Sequence, residues 1–232
     1  MMILWIRRDL AMFEAVIFDW DGTLADTRDA VVFSHQKVLR DIGCTVTEES
    51  LEKQIGIGAR NMLTNALRSS DIPYDEKLID SLMERKNRIH AELADRITLF
   101  NGATDLLHSL HSRVKIALAT MSSRTVIDRL LAGKGVRGYF DFVISADEVQ
   151  YPKPHPEAFL KCAEQLKCPP QRCVVIEDSI FGVEAAKKAN MKCIAVPSGA
   201  YSEKELQEEK PNLIVNSISE RDRILQFIFA ES

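Results

Sequence analysis

The sequence predicts an α/β fold, a parallel sheet core with helices on both faces and a small all-helical unit inserted after the first strand. Three observations carry this. Short β-branched runs at residues 15–18, 114–119, 142–144, 173–176, 193–196 and 213–215 are apolar but for Lys115, as strands covered on both faces require. Helix-period segments at 104–111, 125–133, 157–166, 181–189 and 220–229 alternate with most of them, which implies parallel strands joined by right-handed crossovers. Residues 26–96 carry no strand pattern, only helix-period stretches such as 31–42 and 76–93. That is far more chain than one crossover needs.

Taken in order, residues 1–11 form an N-terminal extension to which the sequence assigns no role. Residues 12–26 and 97–232 read as the α/β core, and residues 27–96 as the helical insertion. Local signals support the helices. Pro156 suits a first-turn position, Ser179 can cap the helix after Asp178, and Ser202 with Glu205 forms a capping box.

Composition narrows the function. A net charge of -4 over 232 residues leaves no basic footprint for nucleic acid or an anionic membrane. No stretch approaches the ~20 apolar residues of a membrane span. The opening MMILWIRRDLAMF places its arginines after the apolar residues, the reverse of a secretory signal. Five scattered cysteines without a CxxC pair read as reduced core thiols, and the expected location is the cytoplasm.

The chemistry gathers at strand tips. In an open parallel sheet these converge on one crevice. Asp19 and Asp21 end the first strand, Thr120 the second, and Glu177 with Asp178 a later one, while Lys153 can reach the same crevice from its loop. Clustered carboxylates repel one another, and a hard cation with oxygen ligands relieves the repulsion, so Mg²⁺ is the expected cofactor. A carboxylate nucleophile, a second acid, a hydroxyl, a lysine and a Mg²⁺ site suit phosphoryl transfer.

The segments FDWDGTLADT, LATMSS, YPKPHPEAF and VVIEDSIFGVEAAKKA resemble, in order, the four motifs of the haloacid dehalogenase superfamily. The resemblance covers residues 12 to about 200, and is to the phosphoglycolate phosphatase and β-phosphoglucomutase branch, in which a helical cap follows the first motif. It implies a Rossmann-like core. It also implies that Asp19 is the nucleophile and that Asp21 protonates the leaving oxygen, then activates water. Thr120 and Lys153 would bind the phosphoryl group. Mg²⁺ would be held by Asp19, Asp178 and the Asp21 backbone carbonyl, with Glu177 supporting it from behind. Gly22 would allow the turn after Asp21. Dehalogenases of the family lack the second Asp and its ATP-driven pumps carry Thr there, so Asp21 favours a phosphatase.

The cap sets the substrate. Residues 54–67, QIGIGARNMLTNAL, resemble the cap loop of phosphoglycolate phosphatases, which makes Gly58 and Arg60 candidate substrate contacts. Glu177-Asp178 matches the form in sugar-phosphate phosphatases and mutases, and ERKNR (residues 84–88) resembles the mutase cap. Yet mutases place a histidine ten residues after the second Asp, where this chain has Val31. The expected substrate is a small phosphate ester, either phosphoglycolate or a sugar phosphate. A phosphosugar mutase is the second reading and a non-catalytic binding module the third; the oligomeric state is left open.

Overall fold

The computed structural model describes residues 12–229. The N-terminal extension, residues 1–11, lies outside the described residues. Strand β1 (Ala15–Phe18) enters the sheet first, and β2 (Ala25–Asp26) leads out of it. Helices α1 (Arg28–Arg40), α2 (Glu48–Glu52), α3 (Ala59–Ser69) and α4 (Glu76–Glu92) follow before β3 (Thr98–Leu99) returns the chain. The rest alternates: α5 (Ala103–Leu110), β4 (Lys115–Ala119), α6 (Arg124–Gly133), β5 (Phe142–Ile144), α7 (Glu157–Gln165) and β6 (Cys173–Glu177). It closes with α8 (Ile180–Lys188), β7 (Lys192–Ala195), α9 (Glu203–Glu208), β8 (Leu213–Ile214) and α10 (Arg221–Phe229).

Six strands form one parallel sheet in the order β5-β4-β1-β6-β7-β8. Strand β1 shows why its sequence is apolar throughout. Val16 and Phe18 face the cluster that holds Leu106, Leu107, Ile127 and Ile224 from α5, α6 and α10. Ala15 and Ile17 face the other, with Phe159, Cys162, Val183 and Ala186 from α7 and α8. With successive side chains pointing to opposite faces, both must be apolar. The strand order reverses about β1, between β4 and β6, so the crevice of such a sheet opens at their carboxyl ends.

Helices α1–α4 build an apolar cluster of their own from Val38, Leu39, Leu51, Leu63, Leu67, Ile79 and Leu82. Two of the four helices are capped by side chains: Thr47 accepts from Ser50 N–H and Asp75 from Leu78 N–H, whereas Thr27 before α1 and Gly58 before α3 make no such bond. Two features differ from expectation. The two-residue antiparallel ribbon β2–β3, through which the chain leaves and re-enters the core, is too short for periodicity to register. The stretch 54–67 is a loop only in its first part. Gly56 and Gly58 adopt φ of 110° and 86°, conformations that favour glycine, and α3 begins at Ala59.

Candidate active site

The carboxyl ends of β1, β4 and β6 bring the expected acids and the lysine together. Asp19 follows β1 directly and is 5% exposed. Lys153, 1% exposed, donates to Asp19 Oδ1 at 2.6 Å, to Glu177 Oε1 at 2.7 Å and to the Ala119 carbonyl at 3.2 Å. Its ammonium also lies 5.0 Å from the centroid of the Phe159 ring. Burial alone would depress the lysine, but Asp19 and Glu177 outweigh it and hold its pKa above the ordinary value. The other oxygen of Glu177 accepts from the backbone N–H groups of Asp178 and Ser179 and from the Ser179 hydroxyl, at 2.8–3.0 Å. Ser179 in turn caps α8 by accepting from Gly182 N–H. Glu177 therefore fixes both the lysine and the turn that presents Asp178.

Asp21 is held by one oxygen only. Thr120 Oγ1 and Ser122 Oγ donate to its Oδ2 at 3.0 and 2.9 Å, while Oδ1 is buried without a hydrogen-bond partner. Ser122 N–H donates to Thr120 Oγ1 at 3.0 Å, which ties the tip of β4 into the same network. Gly22, at φ 87°, turns the chain between Asp21 and Thr23.

Asp178 is 2% exposed, and Thr23 Oγ1 donates to its Oδ1 at 2.9 Å. Its Oδ2 lies in a cradle without side chains. A Cβ on Gly22 would sit 2.3 Å from that oxygen, and one on Gly199 only 1.8 Å. Burial lifts the Asp19 carboxyl well above the usual carboxylate range against the pull of Lys153, with Glu177 and Asp21 adding repulsion. Burial, then Glu177 and Asp19, lifts Asp178 likewise. Three buried acids with one lysine leave excess negative charge.

Such a site suits a hard divalent cation. Among the described residues no three acidic, histidine or cysteine side chains form a complete metal cage. Two carboxylates and a backbone carbonyl fit Mg²⁺, which takes its remaining oxygens from water and phosphate.

The helical insertion covers these acids. A narrow cavity of about 30 Å³ lies between them, lined on one side by Asp19, Asp21, Met121 and Ser122. Val31 and His35 of α1, Ile55 to Ala59 in part, Met62 and Lys86 line the other. Lys53 bridges the layers, donating to the Ala200 carbonyl at 3.0 Å and to Glu205 at 2.6 Å. A larger surface groove of about 370 Å³, lined by Gly102, Asp105 and residues 219–223, gathers no buried acids.

Sequence reasoning and structure part at the insertion. Gly58 lines the cavity. Arg60 does not. Its half-exposed guanidinium donates to Glu76 at 2.8 Å and pairs with Asp80, on the outer side of α3 and α4, so the substrate contact expected of it has no geometric support. Missed by sequence reasoning were Thr23, Ser122 and the buried His35, Lys86 and His90. Ser122 stands inside a recognised motif, and Lys86 inside ERKNR.

The comparisons decide the family. The family model described as haloacid dehalogenase-like hydrolase matches residues 16–196. The chain belongs to this family. It is 31% identical over 188 residues to a fructose-1-phosphate phosphatase of Escherichia coli, covering 79% of this chain and 96% of that one. It is 33% identical over 186 residues to a phosphorylated carbohydrates phosphatase of Thermotoga maritima, covering 78% and 83%. Among solved structures, a β-phosphoglucomutase of Clostridium difficile superposes with a TM-score of 0.83 at 31% identity, over 94% of this chain and 98% of that one. These relatives make the protein a phosphoric monoester hydrolase with the α/β fold of the family. Among the described residues no helix is long and apolar enough to cross a membrane.

Proposed function

We propose that the protein is a Mg²⁺-dependent phosphatase that hydrolyses a small phosphorylated sugar or sugar-derived acid through an aspartyl-phosphate on Asp19, in a reducing compartment such as the cytoplasm. The observation that carries this reading is the division of labour between the two acids. Asp19 is locked by Lys153 with its carboxylate at the tip of β1. Asp21 is held through Oδ2 alone, with Oδ1 turned loose in the buried space under the insertion.

Asp19 attacks phosphorus. Lys153 keeps it aligned and offsets charge on the phosphoryl oxygens, and the Thr120 side of β4 offers hydroxyl and backbone donors. Asp21 gives a proton from its free oxygen to the leaving alcohol, then takes one from the water that hydrolyses the acyl phosphate. Mg²⁺, held by Asp19, Asp178 and the Asp21 carbonyl, would neutralise the phosphate and the acids that face it. Helices α1–α4 act as a cap that excludes water during transfer.

The superposition on a β-phosphoglucomutase favours a mutase as the second reading. Val31 at the position where mutases carry histidine weighs against it, as do relatives named as phosphatases. Their names support a phosphorylated sugar over phosphoglycolate. The test is phosphate release from p-nitrophenyl phosphate and a panel of sugar phosphates with Mg²⁺ and with EDTA. Release with Mg²⁺ that EDTA and Asp19→Asn both abolish is expected. Full activity in EDTA refutes the metal, and exchange of phosphate between sugar positions without net release favours the mutase.

A further inference from the structure

Opposite Asp19 and Asp21, the insertion buries a positive charge that is in hydrogen-bonding distance of no carboxylate among the described residues. Lys86 of α4 is 3% exposed and lines the narrow cavity that Asp19 and Asp21 close from below. Its ammonium approaches His90 Nδ1 at 3.4 Å and forms no ion pair with a carboxylate among the described residues. The groups around it are bases of the wrong kind to neutralise it. His35 Nδ1 lies 2.7 Å from the Val31 carbonyl and so carries its proton there. The Nε2 atom of His90 is buried without a hydrogen-bond partner among the described residues. Burial and the neighbouring ammonium keep both imidazoles uncharged, His35 at about 3 and His90 well below the ordinary value.

Among the described residues the acids that line the cavity with Lys86 are Asp19 and Asp21 of the core, and neither can serve as its partner while the substrate binds. Asp19 is committed to Lys153 and to phosphorus. Asp21, whose charge draws the Lys86 pKa up while burial pulls it down to about 8, is neutral at the moment it must deliver a proton. A buried, uncompensated ammonium is costly and is retained where a ligand completes it. The cavity holds roughly two water molecules, so that ligand comes in when the insertion lifts.

We propose that Lys86 forms a second anion subsite on the leaving-group side of the cavity, and that the physiological substrate carries a carboxylate or a second phosphate there beside the ester being cleaved. This rests on the phosphatase reading and narrows its substrate to phosphate esters that carry a second anionic group. The position explains the pair of histidines. His90 steers the ammonium towards the cavity, and His35 fills the wall without adding a charge that would compete for the anion.

The experiment compares matched substrates that differ only in the second anion. One arm pairs fructose 1,6-bisphosphate with fructose 1-phosphate, and the other 3-phosphoglycerate with glycerol 3-phosphate. Each pair is assayed by phosphate release with the full-length protein and its Lys86→Met variant, which keeps the unbranched stem and removes the ammonium. At least a tenfold preference in kcat/KM for the more anionic member of one pair is expected, and the variant should bring that ratio close to one. The pair that shows it tells phosphate from carboxylate. A ratio is independent of how much of the variant is active. No preference in either pair, or a preference that Lys86→Met leaves intact, overturns the proposal. So does a variant that melts lower or is insoluble, because removing an uncompensated buried charge should not destabilise the fold. If no substrate is turned over at all, the phosphatase reading fails by itself. Calorimetric binding of the same pairs to Asp19→Asn and to Asp19→Asn with Lys86→Met then decides the subsite by the same ratio.

Discussion

Gly199→Ala tests whether Asp178 is placed for a metal. The glycine lies in the loop after β7, and an added Cβ would fall 1.8 Å from Asp178 Oδ2. Real Cβ atoms essentially never approach a heavy atom within 3.0 Å, so the oxygen or the loop must give by roughly 1.2 Å. The carboxylate is the softer of the two, because Asp178 Oδ1 has a single hydroxyl partner, Thr23. A shift of ~1 Å at a reacting centre costs on the order of 100-fold, and disturbed groups around a metal cost about 10–100-fold in affinity or activity. We therefore expect kcat for p-nitrophenyl phosphate to fall about 10–100-fold, with a matching rise in the Mg²⁺ concentration that gives half-maximal rate. The melting temperature without metal should change little. The control is Gly138→Ala, where an added Cβ meets nothing within 4 Å. A Gly199→Ala enzyme within threefold of wild type across the Mg²⁺ titration would show that Asp178 does not need this cradle, and the metal site as drawn would fall.

Asp21→Asn should slow alkyl phosphates far more than p-nitrophenyl phosphate, whose leaving group needs little protonation; equal losses on both would remove Asp21 as the acid. Lys153→Met leaves Asp19 and Glu177 buried without their lysine, a loss of about 3–5 kcal/mol, which corresponds to roughly 6–20 °C in Tm for a chain of this size. A drop of under 3 °C on a calorimetric scan would contradict the buried ion-pair network. The fold also keeps His35 neutral down to about pH 3, whereas an unfolded histidine takes its proton near 6.5. Between those values the unfolded chain binds the extra proton, so stability is full above about pH 6.5 and falls as the pH drops towards 3. Denaturant titrations of His35→Leu should show a shallower loss in that window, and an unchanged slope would place His35 in contact with solvent.

What the sequence made legible and what it hid follow one physical distinction. Asp19, Asp21, Thr120, Glu177 and Asp178 sit within three residues of a strand end, and a strand's end can be read from where its apolar run stops. Parallel topology then brings those ends together without any knowledge of side-chain packing. Lys153 is reached through a loop, and the order of motifs, not periodicity, located it. The insertion offers no such shortcut. Whether a helical residue faces the acids depends on how α1, α3 and α4 pack around Leu39, Leu63 and Leu82, which is a property of three helices at once. Arg60 follows a glycine loop that does line the cavity, but it starts a helix and turns outward, where Glu76 and Asp80 hold it. His35 shows the opposite case. Val31 occupies the position at which mutases carry histidine, and His35 stands one helical turn further on, on the same face of α1. Val31 and His35 both line the cavity, so the turn was in the right place and the imidazole one register away. Lys86 lies about fifty residues later on α4, and only the packing of α1 against α4 brings the two together. A buried cation that forms no ion pair among the described residues is visible only once burial is known. The acids proposed to carry the chemistry are therefore the part of the site that a one-dimensional pattern can carry, and the lining that the insertion adds above them is the part that it cannot.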